Sequence, residues 1–252
     1  MSLKTFNITY TKEEKKETFA YGKVGVIITA AGSASRMEGQ NKILASLVGI
    51  PVIARTIMAF QDILSIEKIV VVTREDMVGD IQNLVAEYNL FKVSDIVVGG
   101  PSRQESVRNG FYLLGADADI KTVLIHDGAR PLVSSKVIEG VISAAEEFGA
   151  AIPVVAPKDT VKVTGALGKV INTPDRSTLC LVQTPQGFKT ENYKKALESA
   201  EEELANFTDD SSVVENAGIT VYTTLGDYKN IKITTPEDLE LASAFLKREE
   251  NL

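Results

Sequence analysis

The chain has 252 residues, a formal net charge of −7, a hydrophobic content of 44% and a charged content of 24%. This composition is typical of a globular protein, and the acidic balance argues against a nucleic-acid partner. The only cysteine, Cys180, excludes an internal disulfide and favours a reducing, cytoplasmic location. With one histidine, His126, a zinc site is not expected, so a bound metal should be a hard ion held by oxygen ligands.

The first 22 residues differ from the rest of the chain. They include a charged run, TKEEKKET at 11–18, but no apolar segment typical of a signal peptide. We interpret residues 1–22 as a flexible leader, although the alternation of Phe6, Ile8 and Tyr10 also fits a short edge strand. No stretch of the sequence is apolar enough to span a membrane, so no membrane partner is expected.

From Val24 onward, strand and helix patterns alternate. The predicted strands are 24–29, 68–73, 96–98, 122–126 and 150–155, and the predicted helices between them are 51–61, 76–88, 103–114 and 135–148. This alternation predicts an α/β fold, with a mostly parallel twisted sheet and helices on both faces. Ligands of such sheets bind at the carboxyl ends of the strands.

The pattern changes after residue 158. Extended segments at 159–162 and 169–172 flank a glycine-bounded turn, which predicts a β-hairpin. The hairpin is polar and lacks a core of its own, so we expect it to pack against something else, such as a second subunit. The remaining predicted elements are a strand at 179–183, helices at 190–206 and 209–216, a strand at 219–224 and a last helix from Pro236.

The segment from Val24 to Lys42 predicts a nucleoside triphosphate site. A β-branched strand ends in Ala30, Ala31 and Gly32, small residues that let backbone N–H groups approach phosphates, and the cations Arg36 and Lys42 follow. The segment lacks the Gly-Lys-Ser/Thr ending of a P-loop and the later glycines of a dinucleotide fingerprint. An ordinary surface turn with two solvated cations is the alternative.

Two further strand ends carry candidate residues. Gly99 and Gly100, with Ser106 on the helix that follows, can receive a base or ribose, or form a plain turn and helix cap. Asp127 ends the fourth strand, where a carboxylate can hold Mg²⁺ against phosphate oxygens. Arg130 either binds phosphate or fixes Asp127 by an ion pair, and His126 is expected to be structural.

Two segments nearer the C-terminus add candidates. Lys232 lies between isoleucines in an expected strand before the last helix, where a lysine needs an anionic partner or must extend to solvent. The Thr208-Asp209-Asp210 segment has the pattern of a helix cap followed by an acidic first turn.

Taken in order, these motifs resemble the 2-C-methyl-D-erythritol 4-phosphate cytidylyltransferase family. They are AAGSASRM with a following lysine, GG with a following arginine and serine, HDGARP, an arm ending in DR, QTPQGF, TDD and NIKITTPEDL. The resemblance implies a Rossmann-like nucleotidyltransferase fold over residues 23–252 and an activity in isoprenoid precursor biosynthesis. It also implies CTP, a polyol phosphate and Mg²⁺ as partners, and a homodimer that exchanges protruding β-arms at about 158–176.

The resemblance also implies residue roles. Arg36 and Lys42 would stabilise the transition state, and Arg176, from the partner subunit, and Lys232 would hold the attacking phosphate. CTP would contact Ala30, Ala31, Gly32, Gly100, Ser106, Asp127 and Gly128, with Mg²⁺ near Asp127. The remaining substrate contacts would come from Asp127, Arg130, Thr184 and Thr208.

Several positions depart from the family pattern. Ala34 replaces a loop glycine, Ile43 replaces a glutamine, Pro101 replaces an acidic residue and Gly128 replaces an alanine. Ribitol-5-phosphate cytidylyltransferase is the nearest alternative, but the TPDR sequence at 173–176 favours the methylerythritol enzyme. A non-catalytic nucleotide-binding module is the alternative from another class.

Overall fold

The computed structural model describes residues 22–32, 41–201 and 203–250, in which strands and helices alternate. The strands are β1 (Lys23–Ala30), β2 (Ser46–Leu47), β3 (Ile50–Pro51), β4 (Ile66–Thr73), β5 (Val93–Val98), β6 (Ile120–Asp127), β7 (Ala150–Val155), β8 (Val163–Thr164), β9 (Val170–Asn172), β10 (Leu181–Val182), β11 (Gln186–Lys189) and β12 (Tyr222–Leu225). The helices are α1 (Val52–Gln61), α2 (Val78–Glu87), α3 (Arg103–Gly115), α4 (Ser135–Phe148), α5 (Thr190–Ser199), α6 (Asp210–Asn216) and α7 (Pro236–Glu250).

The main sheet has the strand order β10-β7-β11-β6-β1-β4-β5, with β12 paired to β7. Strands β1, β4, β5 and β6 are mutually parallel, whereas β10 and β11 run antiparallel to their neighbours. The predicted mostly parallel α/β sheet is therefore confirmed. The chain builds outward from β1 to β5 and then crosses back to β6, which places the topological switch point of the sheet between β1 and β6. Ligands of open α/β sheets bind at such points.

Side chains of β1 alternate between two hydrophobic layers. Val26 and Ile28 pack into the cluster that includes α1, α2 and α4, while Ile27 packs into the cluster that includes α3, α5 and α6. All three side chains are fully buried. Burial on both faces is why the strand is a continuous apolar run rather than an alternating one, and it confirms the prediction of helices on both faces.

Some predicted elements were wrong in extent or kind. Residues 231–234 form no strand, so Lys232 lies on an irregular segment rather than in the expected strand. The helix predicted at 190–206 ends at Ser199, and a separate 3₁₀ turn spans Leu204–Asn206. Strand β11 was not predicted because its four residues include a glycine and a lysine and have little apolar pattern.

The predicted hairpin is present, but its first strand is Val163–Thr164 rather than 159–162, and its second is Val170–Asn172 rather than 169–172. Strands β8 and β9 pair antiparallel, and Leu167 forms the turn at a φ of 58°. Side chains from 162 to 173 are exposed, including Ile171. The segment predicted to be a leader or edge strand, residues 1–22, lies outside the described residues except for residue 22. In the ranges that are described, no helix has the length and apolar character needed to cross a bilayer.

Candidate active site

A cavity of about 370 Å³ opens at the carboxyl ends of β1 and β6, at the switch point of the sheet. Its volume is within the range of small-molecule sites. The described residues that line it come from four segments: Thr29, Ala30, Ala31, Gly32, Lys42, Ile43, Gly100, Pro101, Ser102, Arg103, Ser106, Asp127, Ala129 and Lys232. The four segments were all predicted from the sequence to carry site residues, and they are far apart in the chain.

The end of β1 supplies one wall through small residues. Ala30, Ala31 and Gly32 line the cavity, and Lys42 lines it after the intervening loop. Arg36, the other predicted catalytic cation, and Ala34 lie outside the described residues. The Ile43 side chain is buried in the core and also reaches the cavity.

The segment after β5 is held close to β1 by its glycines. A Cβ on Gly99 would lie 2.6 Å from Oγ of Ser106 and 3.0 Å from Cβ of Ala31, so only glycine fits there. The Ser106 hydroxyl accepts a hydrogen bond from the Gly100 amide at 3.0 Å. The predicted helix cap is also present, because Ser102 and Glu105 form a capping box. The segment is thus both a helix start and a cavity wall.

Asp127 is the last residue of β6 and pairs in register with Thr29 of β1. Three cations surround its carboxylate: Nζ of Lys232 at 2.9 Å, Nε of Arg130 at 3.4 Å and Nη2 of Arg103 at 3.9 Å. Burial alone would raise the pKa of Asp127, but Lys232, Arg103 and Arg130 outweigh burial and hold the pKa well below its usual range. The carboxylate is therefore ionised at neutral pH.

His126 is buried and contacts only protein groups, in keeping with the structural role predicted for it. It is fully buried, its Nε2 is 3.1 Å from the carbonyl oxygen of Arg130, and its Nδ1 is 2.9 Å from Oγ1 of Thr184. Burial lowers the pKa of His126 to about 4. The Thr184 hydroxyl, predicted to contact substrate, also accepts a hydrogen bond from the Asp127 amide at 3.2 Å and is buried. In this arrangement Thr184 orients its protein neighbours.

Arg130 connects Asp127 to the segment that carries Lys232. Its Nη1 donates to the carbonyl oxygen of Asn230 at 2.7 Å, while its Nε contacts Asp127. The Ile233 amide donates to the carbonyl oxygen of Ala129 at 2.8 Å, which docks the same segment on the end of β6. Arg130 was predicted either to bind phosphate or to pair with Asp127, and the structure shows the ion pair with Asp127. The anionic partner expected for Lys232 is Asp127.

Gly128 is closely packed, so an added side chain would require its neighbours to shift. A Cβ there would lie 2.8 Å from Cδ1 of Ile53 and 3.0 Å from the carbonyl oxygen of Thr29. Its own carbonyl oxygen accepts a hydrogen bond from Oγ1 of Thr56 at 2.9 Å. The departure from alanine at this position therefore accompanies a bulky isoleucine on α1. Gly128 is not among the residues that line the cavity, although its neighbours Asp127 and Ala129 are.

Arg103 and Asp210 were missed as site residues. Nη1 of Arg103 lies 2.7 Å from Oδ2 of Asp210, which is fully buried on the first turn of α6. The hydroxyl of Tyr193 donates to Oδ1 of Asp210 at 2.8 Å. In the sequence, Arg103 was only an arginine within a candidate motif, and Asp210 was only an acidic residue after the predicted cap. The Asp209 cap itself is confirmed, because its side chain accepts a hydrogen bond from the Ser212 amide.

Four predicted substrate residues lie outside the cavity lining: Arg130 and Thr184, described above, and Arg176 and Thr208. Arg176 is exposed beyond the hairpin and donates from Nη1 to the carbonyl oxygen of Lys158 at 2.8 Å. Thr208 is exposed immediately before the Asp209 cap of α6. Within the described ranges, no group of three or more acidic, histidine or cysteine side chains could form a metal cage.

Comparison with known proteins identifies the family. The sequence profile of 2-C-methyl-D-erythritol 4-phosphate cytidylyltransferase (IspD) matches residues 24–248. The enzyme of that name from Clostridium perfringens is 44% identical over 227 residues, which are 90% of this chain and 100% of the relative.

Two solved structures agree with that match. The 4-diphosphocytidyl-2C-methyl-D-erythritol synthase of Anaerococcus prevotii superposes with a TM-score of 0.79 at 30% identity, covering 90% of this chain and 99% of that one. The 2-C-methyl-D-erythritol 4-phosphate cytidylyltransferase of Thermus thermophilus superposes with a TM-score of 0.73 at 29% identity, covering 89% and 99%. The chain therefore belongs to the 2-C-methyl-D-erythritol 4-phosphate cytidylyltransferase family of nucleotidyltransferases.

Proposed function

We propose that this chain transfers CMP from CTP to 2-C-methyl-D-erythritol 4-phosphate, giving 4-diphosphocytidyl-2-C-methyl-D-erythritol and pyrophosphate for isoprenoid precursor synthesis. The observation that carries the proposal is the charge of the cavity. Among its described lining residues, Lys42, Arg103 and Lys232 outnumber the one carboxylate, Asp127. A cationic cavity beside a loop of small residues suits a polyphosphate, and the family match names the nucleotide and the acceptor.

The reaction needs positioning and charge rather than a base. A phosphate oxygen of the acceptor attacks the α-phosphorus of CTP, the new P–O bond forms, and the bond to the β-phosphate oxygen breaks, so that pyrophosphate leaves with the electron pair. The nucleophile is already an anion. The buried His126 is therefore not required as a proton acceptor, and the rate enhancement comes from alignment and electrostatic stabilisation.

We assign the charge stabilisation to specific cations. Lys42 acts on the α-phosphate as charge builds there, and Arg36 does so with its two-pronged guanidinium. Lys232 holds the attacking phosphate from the side of Asp127. Arg176 adds a second cation from the partner subunit of a homodimer, a proposal supported by its exposed position outside the cavity lining.

The residues present fit a magnesium ion that arrives with the nucleotide. Asp127 is an ionised carboxylate at the cavity wall, and the other ligands would be phosphate oxygens and water, the arrangement that Mg²⁺ commonly adopts. When bound, the ion offsets phosphate charge.

We place the protein in the cytoplasm because its one cysteine, Cys180, is a free and exposed thiol.

Pyrophosphate release tests the proposal directly. Purified protein is mixed with CTP, Mg²⁺ and 2-C-methyl-D-erythritol 4-phosphate, and pyrophosphate is measured by a coupled assay. We expect release only when both substrates are present, and slower release with ATP, GTP or UTP. Binding of CTP without any turnover would instead indicate the non-catalytic nucleotide-binding module.

A further inference from the structure

Asp210 is a buried carboxylate to which the reaction assigns no part. It is fully buried on the first turn of α6, yet one of its oxygens lies 2.7 Å from Arg103, a residue that lines the cavity. A buried charge is retained only where it is well paired, since desolvation is costly. The pairing therefore connects the interior beneath α6 to the wall of the nucleotide cavity.

Arg103 lies between two carboxylates and is closer to one of them. Its Nη1 is 2.7 Å from Oδ2 of Asp210, in an ion pair that lacks hydrogen-bond geometry, whereas its Nη2 is 3.9 Å from Oδ1 of Asp127. The two closer cations of Asp127 both contact Oδ2. Arg103 is thus paired more closely with Asp210 than with Oδ1, and Asp127, which lines the cavity, has no hydrogen bond from Arg103 on that oxygen.

Asp210 is supported by a buried tyrosine and by the first turn of α6. The Tyr193 hydroxyl donates to its other oxygen, and the Tyr193 ring stacks on Phe188 and meets Phe111 edge-on, both at 5.1 Å between centroids. Gln186 of β11 accepts a hydrogen bond from the Ser211 amide at 2.8 Å, which fixes the start of α6 to the sheet. These contacts anchor the carboxylate to the sheet and to the aromatic side chains packed beneath α6.

We propose that Asp210, supported by Tyr193, is a positioning residue that holds Arg103 at the cavity wall and keeps it from closing on Asp127. Held in this way, Arg103 presents its charge to the polyphosphate and Asp127 keeps an oxygen available. The inference rests on the proposed function, because the ligand of the cavity is taken to be CTP. Without Asp210, the nearest carboxylate for Arg103 is Asp127, and the two would pair at the expense of the ligand.

The test is a double-mutant cycle on CTP affinity, measured by calorimetry in the full-length protein. We expect Asp210→Asn to weaken CTP binding about tenfold, and Arg103→Gln to weaken it by a similar factor. The double variant should bind no more weakly than Arg103→Gln alone, because Asp210 acts through Arg103. Asp117→Asn, which breaks the ion pair with Lys68 outside the cavity lining, is the matched control and should bind CTP normally.

Tyr193→Phe provides a milder second variant in case Asp210→Asn does not fold. It removes the hydrogen bond to Asp210 and keeps the stacked ring, so we expect binding weaker by about threefold, the scale of one hydrogen bond. The loss should disappear in the Arg103→Gln background. Normal CTP affinity in both Asp210→Asn and Tyr193→Phe, or equal losses with and without Arg103, would overturn the inference. Failure of the wild-type protein to bind CTP would overturn the proposed function itself.

Discussion

Nζ of Lys232 lies 2.9 Å from Oδ2 of Asp127, which joins the irregular segment before α7 to the end of β6. The contact is a pairing between one cation and a carboxylate that two arginines also approach. Because Asp127 is shared among three cations, Lys232 keeps net positive charge available to a phosphate.

Replacement of Lys232 tests whether its positive charge acts on the phosphate of the acceptor. We expect Lys232→Met to lower kcat/KM for 2-C-methyl-D-erythritol 4-phosphate about 10- to 100-fold, the scale of one lost charged hydrogen bond. Lys232→Arg keeps the charge and should lose less. Lys136→Met, at an exposed position on α4, is the control and should match the wild type. Equal kinetics for Lys232→Met and the control would remove Lys232 from the site.

Lys42 is expected to act chiefly in the transition state. Lys42→Ala should lower kcat/KM by roughly 10²–10³, the scale for one lost electrostatic stabiliser, while circular dichroism and the melting temperature stay close to those of the wild type. Arg36→Lys should also be harmful because the guanidinium geometry is lost. The exposed Lys194→Ala is the matched control. Near-normal turnover by Lys42→Ala would contradict the assignment.

The buried His126 predicts a pH-dependent stability. Its pKa is about 4 in the folded protein, whereas an unfolded histidine has a pKa of about 6.5. Between these values the unfolded chain binds a proton that the native protein does not, so stability is full above about pH 6.5 and falls as the pH drops toward 4. The loss between pH 7 and pH 5 should be about 2 kcal/mol.

Urea unfolding of the wild type and His126→Gln at both pH values isolates this contribution. Other groups titrate alike in the two proteins, so the stability difference between them should shrink on acidification. A difference that stays constant from pH 7 to pH 5 would show that His126 titrates normally in the folded protein.

The acceptor is tested by competition between two polyol phosphates. The TPDR sequence at 173–176 favoured methylerythritol over ribitol, and the family profile agrees. We expect kcat/KM for 2-C-methyl-D-erythritol 4-phosphate to exceed that for ribitol 5-phosphate by at least about 100-fold, since an enzyme discriminates by its transition-state contacts. Faster turnover of ribitol 5-phosphate would refute the substrate while leaving the chemistry intact.

Assembly is tested by mixing two inactive chains. If Arg176 serves the neighbouring subunit, heterodimers of Arg176→Ala and Lys42→Ala chains contain one intact site, formed by Lys42 of the first chain and Arg176 of the second. Activity should recover only after subunit exchange, up to about a quarter of the wild-type value, because half of the dimers are mixed and each has one intact site of two. No recovery despite exchange seen by mass spectrometry would place Arg176 in its own subunit's site.

The parallel strands were predictable because burial on both faces demands β-branched runs, as in β1. Strand β11 was not, because its local pattern is weak, and its pairing with β6 and β7 and the burial of Phe188 beneath α3 and α5 arise only in the assembled sheet. The site residues divide in the same way, into those with a local sequence pattern and those defined only by tertiary contacts. Asp127 and Lys42 are recognisable from short motifs at strand ends, whereas the pairing of Arg103 with Asp210 joins distant elements and exists only once the sheet is assembled.

The tight fit of Gly128 against Ile53 has an evolutionary consequence. Where relatives carry alanine after the aspartate, the added methyl needs the space that the Cδ1 atom of Ile53 occupies here. Alanine after the aspartate is therefore expected to come with a rotated Ile53 side chain or with a shorter residue at that position on α1.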